Sequence, residues 1–277
     1  MKHMSSRSSW QADLALEFAP KAGKTRLTAS HRRGPLAVQR AFFPEGNLNH
    51  TYLLHPPGGV VGGDQLDINI QVHPQGQVLL TTPGATKFYR SAGPQARLQQ
   101  NLHIASGATL EWMPLENIFF PGTNTAIKTD VHLAEGGQFI GWEINCLGRP
   151  ANDEGFTRGC IDSDFAFYRD GELLLLDRFA TQGQSMISDP VGMRGFSAQA
   201  MLVATMADDI LVEQVQTTLA SYAPQIWAGA SYFDGLLVVR VLAHQSQEML
   251  QLLTAVWCLL RPEIMGRAAM PPRIWAT

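Results

Sequence analysis

The side chains in this sequence that could move protons, attack a carbonyl or hold a metal are few, and their spacing decides which of these chemistries is open to them. Glu111 and Glu143 each precede or follow a tryptophan in an apolar segment (Glu111-Trp112, Trp142-Glu143), and Cys146 comes shortly after Glu143. Were Glu111, Glu143 and Cys146 to face one cleft, they could supply the acid, base and nucleophile of a hydrolase-type enzyme. No triad spacing, nucleophile elbow or two-carboxylate device accompanies them. Trp112 and Trp142 are therefore expected in the core, and Cys146 is expected to be a small buried hydrophobe. The eight histidines, at 3, 31, 50, 55, 73, 103, 132 and 244, form no HExxH, HxH or Cys/His ligand pattern. His50 and His55 are the weak metal candidates: they could share an ion only if the strand between them bent, because residues five apart on a strand face opposite ways. No tightly bound metal or cofactor is expected.

Two turn-rich segments invite ligand readings. Gly58-Gly59-Val60-Val61-Gly62-Gly63-Asp64 has the glycine density of an anion-cradling loop, yet lacks the Gly-Lys-Ser/Thr ending and a following amphipathic helix. Tight reversals or close backbone approach explain its glycines better, with Asp64 opening the next strand. Pro83-Gly84-Ala85-Thr86-Lys87-Phe88-Tyr89-Arg90-Ser91 joins two cations to two aromatics, which suits a carboxylate, a phosphate or a partner surface, and equally an ordinary solvated turn.

The elements that must position these groups are mostly strands. Leu66, Ile68, Ile70 and Val72 alternate with polar residues, as do Thr125, Ile127, Thr129, Val131 and Leu133. Further short strands are expected at 77–82, 98–104 and 109–113, turning back at glycine or proline. Hairpins are expected at Asp170-Gly171 and Asp234-Gly235. Helical spacing appears at Leu211, Val215, Leu219 and Tyr222, with Asp208 as N-cap, and at Met249, Leu253, Val256 and Leu260, where the helix should stop before Pro262. The expected architecture is one mainly β domain over 1–277, with a β body to about 200 and a strand-helix-hairpin-helix portion after it.

Composition narrows the partners. The chain has 277 residues, 45% hydrophobic and 16% charged, with a net charge of -3, which gives no broad electropositive footprint for nucleic acid. The three cysteines, Cys146, Cys160 and Cys258, form no disulfide framework, the N-terminus shows no signal-peptide core, and Met249–Leu260 is too short to span a bilayer. A cytoplasmic protein with no membrane partner is expected. A mean hydropathy of -0.05, with the aromatic pair Phe119-Phe120, also suits an obligate interaction surface.

An ordered series of segments resembles the UreD (UreH) family of urease accessory proteins along nearly the whole chain. It comprises Gly34-Pro35-Leu36-Ala37-Val38-Gln39-Arg40, Tyr52-Leu53-Leu54-His55-Pro56-Pro57-Gly58-Gly59 running to Asp64, and Pro83 to Ser91. Leu110-Glu111-Trp112, Ile118-Phe119-Phe120-Pro121-Gly122, Cys146-Leu147-Gly148-Arg149-Pro150 and Pro272-Arg273-Ile274-Trp275 complete it. The resemblance implies stacked, β-helix-like sheet layers with two α-helices in the C-terminal part. It also implies a non-enzymatic scaffold for nickel insertion. Such a protein binds the helical accessory protein UreF and, through it, the nickel-carrying GTPase UreG, docks on apo-urease and offers transient nickel a passage. By resemblance, Asp64, Thr86, Glu143 and Asp177 belong to that passage, and Lys87, Tyr89, Arg90 and Arg149 to partner or structural motifs. Thr86 stands where some relatives have serine, Asp177 where they have glutamate, and Asn49-His50 where many have Cys-His. The lack of a ligand cluster is consistent with transit, since imidazole and thiolate would trap an ion that oxygen groups and water would release.

Overall fold

Alternation of apolar and polar residues puts one face of each strand out of water, and two sheets buried against each other satisfy all of those faces together. The computed structural model describes residues 9–149, 152–206 and 209–276. β1 (Gln11–Lys21) and β2 (Lys24–Arg33) form a hairpin, followed by β3 (Ala37–Val38), β4 (Asn49–Leu54), β5 (Gln65–Val72), β6 (Gln77–Thr81) and the short β7 (Thr86–Phe88). Next come β8 (Ala96–Ile104), β9 (Thr109–Met113), β10 (Asn117–Phe119), β11 (Asn124–Leu133), β12 (Gln138–Arg149) and β13 (Glu154–Gly155). β14 (Cys160–Arg169) and β15 (Glu172–Gln182) lead through one helical turn, α1 (Ser185–Ser188), to β16 (Ala198–Thr205). The chain ends with α2 (Ile210–Ala220), β17 (Trp227–Phe233), β18 (Leu236–Ala243), α3 (Ser246–Met265) and a 3-10 turn at Arg273–Ala276.

The expected mainly β, stacked architecture is what the chain adopts. From β4 to β14 the long strands do not turn back on one another as the spacing suggested. They alternate between two sheets, and each pairs in parallel with the strand of the next coil, β5 with β8, β11 and β14 in one sheet and β4 with β6, β9 and β12 in the other. The strand orders are β15-β14-β11-β8-β5-β1-β2 and β17-β18-β16-β12-β9-β6-β4-β3. Parallel register stacks like on like: Ile70, Leu102, Val131 and Phe167 form one apolar rung. Each such side chain buried contributes roughly 1.5–3 kcal/mol.

A second core lies on the outer face of the β12 sheet, where Trp142, Ile144 and Leu202 meet Leu253, Val256 and Trp257 of α3. The buried residues Met249, Leu252, Leu253, Val256, Trp257 and Leu260 recur at the helical period on one face of that helix. α3 does not stop before Pro262. It runs on to Met265 and closes at Gly266, whose φ of 61° is left-handed, because Arg261 and Met265 are buried beyond the point where proline would otherwise end it. The expected N-cap Asp208 lies outside the described residues, and Asp209, at the cap position of α2, makes no capping bond through its side chain. Both Asp-Gly turns are as expected, with positive φ at Asp170, Gly171, Asp234 and Gly235. Phe119 is wholly buried and stacks on Phe88, so it belongs to the core rather than to an interaction surface.

Candidate functional site

Between the two sheets, near the Gly58–Gly63 turn, lies a cavity of about 190 Å³. His55 and Gly59 line it from the loop after β4, Thr86 and Lys87 from β7, and Gln100, Trp112 and Glu143 from the longer strands of the sheets. The turn needs its glycines for close approach: a Cβ on Gly59 would run into the Tyr89 ring and come within 2.9 Å of the Lys87 carbonyl oxygen. Burial holds the His55 imidazole below its ordinary pKa against the pull of Asp64, so it is neutral at neutral pH.

Glu143 is the carboxylate of this cavity. The Thr129 hydroxyl donates to Glu143 Oε1 and also lies 2.8 Å from Gln100 Oε1. Burial pushes the Glu143 carboxyl up to about 7, the Thr129 hydrogen bond opposes this, and the charge of Asp177 adds to it. A carboxyl poised there is neutral or charged according to small changes around it.

The register explains this placement. Gln100 pairs with Thr129, Thr129 with Phe165, and Phe165 with Asp177 across one sheet. Glu143 pairs with Met201 and Met201 with Arg240 across the other. At one level of the coil, then, Thr129 meets Glu143, and Asp177 Oδ1 accepts from Arg240 Nη2 at 2.6 Å and from Nε at 3.1 Å. In register between these two polar pairs stand Phe165 and Met201, both buried in the inter-sheet core. Beyond them Asp177 and Arg240 line a second hollow of about 490 Å³. Gln100, Thr129 and Arg240 did not stand out as site residues in the sequence, although Gln100 between Leu98 and Leu102, and Thr129 between Ile127 and Val131, break the apolar phase of their strands.

Of the four positions assigned to a passage, Thr86 and Glu143 thus share the cavity, Asp177 lines the second hollow, and Asp64 lines neither. Asp64 is buried and accepts from the backbone amides of Trp10 and Val61 at 2.8 and 3.0 Å, which fixes the glycine turn. Lys87 lines both the cavity and a groove of about 620 Å³, where Arg149 and Cys146 also lie. Tyr89 packs edge-on to Phe120, and Arg149 sits over the same ring while pairing with Glu154. Arg90 is exposed, beside Gly122. His50 and His55 do not converge: His50 points toward α3, where its Nε2 lies 2.8 Å from Glu45. Among the described residues no group of three or more His, Cys, Asp or Glu could hold a metal.

Glu111, Glu143 and Cys146 do not share a cleft either. Trp112, beside Glu111, packs between the sheets, and Glu111 itself turns to the helical layer, accepting from Trp257 Nε1 at 2.7 Å and from Arg261 Nε and Nη2 at 2.9 and 3.0 Å. Arg261, fully buried, also pairs with Glu45 at 2.7 Å. Sequence reading missed this network because its members lie far apart in the chain. Burial pushes the Cys146 thiol up to about 12, which leaves no thiolate for attack. No described helix is long and apolar enough to cross a membrane.

Known proteins resemble this chain along nearly its whole length. The UreD urease accessory protein family model matches residues 11–276. The chain is 45% identical to the urease accessory protein UreD of Alcanivorax borkumensis over 272 residues, covering 97% of this chain and 92% of that protein. It is 45% identical to the UreD of Escherichia coli over 276 residues, covering 98% and 99%. To the UreD of Aliivibrio fischeri it is 43% identical over 281 residues, covering 98% of each. With the match running through the strands of both sheets and through α3, the chain belongs to the UreD family of urease accessory proteins.

Proposed function

We propose that this protein serves urease maturation as a cytoplasmic, non-enzymatic scaffold that docks on apo-urease, receives nickel through UreF-type and UreG-type partners, and passes it on through its inter-sheet interior. The observation that carries this reading is a polar rung at one level of the double sheet: Gln100, Thr129 and Glu143 at the cavity, Asp177 and Arg240 at the second hollow. Neutral oxygens, amides and two carboxyls, one of them (Asp177) already paired with Arg240, bind a divalent cation weakly, in contrast with imidazole or thiolate, and weak binding is what cargo requires. A cavity of about 190 Å³ has room for several waters, so the ion can keep part of its hydration shell. On this reading Phe165 and Met201 form the apolar constriction between the two polar pairs, and partner docking must move them aside.

The test is nickel content of urease matured with Glu143→Gln. Loading should fall several-fold while the variant still co-purifies with its UreF-type partner. Unchanged loading would remove Glu143 from the route. Asp64→Ala is the poorer test, because it frees two backbone amides and disturbs the turn itself.

A further inference from the structure

Residues 18–44 contain no Asp or Glu, yet hold six of the chain's 21 Lys and Arg: Lys21, Lys24, Arg26, Arg32, Arg33 and Arg40. The molecule as a whole carries -3, so this is a local reversal of sign. β2 is the outer edge of its sheet, and its residues from Thr28 to Arg33 are exposed without alternation, that is, on both faces. Beside it a groove of about 350 Å³ separates β2 from the segment after β3, lined by Lys24, Arg26, Arg40 and Phe43. Lys24 Nζ lies 5.1 Å and the Arg26 guanidinium 5.8 Å from the centre of the Phe43 ring. Arg33 is neutralised by Asp13, whereas Lys24, Arg26, Arg32 and Arg40 have no ion pair among the described residues.

We propose that β2 and this groove are a docking strip for an extended acidic segment of a partner protein, which adds as a further strand to the edge beyond Thr25, whose own amide already donates to Asn47, and runs on into the groove with its carboxylates against Lys24, Arg26 and Arg40. An unpaired strand edge offers a row of backbone donors and acceptors that only another extended polypeptide matches. A second copy of this chain does not fit, because edge-to-edge pairing of two β2 strands would oppose like charges. Nucleic acid fits poorly, since the strip is narrow, the rest of the surface is not basic, and bases cannot satisfy a strand edge. Protection of the edge against aggregation would account for cations on β2 itself. It does not account for Arg40 and Phe43, which reach the groove from another segment and give it an aromatic floor.

The test uses the full chain and a short fluorescein-labelled peptide of alternating Glu and Val, followed by anisotropy. Three comparison probes are the same peptide with alternate backbone amides N-methylated, its Lys-for-Glu counterpart, and a thymidine oligonucleotide of similar length. The acidic peptide should bind, and Arg26→Glu with Arg40→Glu should weaken it about tenfold or more, as reversal of two contacting charges does. Both positions have exposed or half-exposed side chains, so the variants should fold, and an unchanged unfolding midpoint checks this. N-methylation should weaken binding as strongly, because it removes the strand pairing and keeps every charge. No binding of the acidic peptide, equal binding of the Lys peptide, or indifference to the double reversal overturns the proposal. Equal binding of the N-methylated peptide or the oligonucleotide also overturns it, in favour of a simple polyanion patch.

Discussion

Glu143→Gln tests the interior through stability as well as through nickel. In the folded chain the carboxyl sits at about 7, against an ordinary value of 4.5, with burial as the main cause. A raised carboxyl favours the protonated fold, so its contribution is fully present below about 4.5 and is lost as pH rises through about 7. Moving a carboxyl that far corresponds to about 3 kcal/mol. Glutamine keeps the shape and can still accept from Thr129, but it cannot ionise. The stability of the variant relative to wild type should therefore grow by about 3 kcal/mol between mildly acidic and mildly alkaline solution, the variant being the more stable at the alkaline end. Urea unfolding at a series of pH values reads this as diverging midpoints with unchanged slopes. Added nickel should flatten the pH dependence of wild type, because a cation at the carboxylate opposes its protonation, and should leave the variant unmoved. Parallel stability curves for the two proteins would refute the claim that this carboxyl is held near neutrality by its surroundings.

Other consequences follow from other parts of the molecule. Arg261→Met leaves Glu45 and Glu111 buried without their cation and should cost about 3–5 kcal/mol in denaturant unfolding, with partial recovery on adding Glu111→Gln. In native protein at mildly alkaline pH, iodoacetamide should modify the exposed Cys160 and spare Cys146 until the fold is opened; rapid labelling of Cys146, read by peptide mass, would contradict its burial. Gly59→Ala forces the Tyr89 ring or the Lys87 carbonyl to move and should destabilise by roughly 1–3 kcal/mol while lowering nickel transfer, both measured on the same preparation. Met201→Ala trims the apolar pair between the two polar ones. It should cost about 2–5 kcal/mol and yet speed nickel transfer, whereas a fall in transfer that merely tracks lost stability would place the route elsewhere.

The strands were legible because each carries its own signal: the alternation at Leu66–Val72 and the two Asp-Gly turns depend on neighbours in the chain, and the structure has them there. The β1–β2 hairpin was not read, since the exposed half of β2 has no apolar phase to show. Parallel coiling was also beyond local pattern, because a strand of period two does not say whether its partner is the next strand or the one after. The end of α3 was misjudged for a different reason: a local breaker, Pro262, was outweighed by burial of Arg261 and Met265 against a layer remote in sequence. At the site, Glu143 and Thr86 entered through family resemblance and their residue chemistry. Thr129, Gln100 and Arg240 are defined only by register, which aligns residues tens of positions apart.

The same register argument separates two buried acids that look alike in the sequence. Glu111 and Glu143 lie on neighbouring strands, β9 and β12, each beside a buried tryptophan, but they leave opposite faces of the sheet. On the helical side Glu111 meets a guanidinium that donates to both of its oxygens, so a passing cation would have to displace Arg261 from a fully buried position. That exchange would strand a charge in the core and is closed on energetic grounds. On the inter-sheet side Glu143 meets only neutral partners, Thr129 and, through it, Gln100, and the nearest cation of its rung, Arg240, is already held by Asp177. Its negative charge is uncompensated when it forms, which is why burial raises it so far, and on the proposed reading a divalent cation would supply what the fold does not. On the proposed reading, the acid without a cation of its own is the one that would meet the cargo.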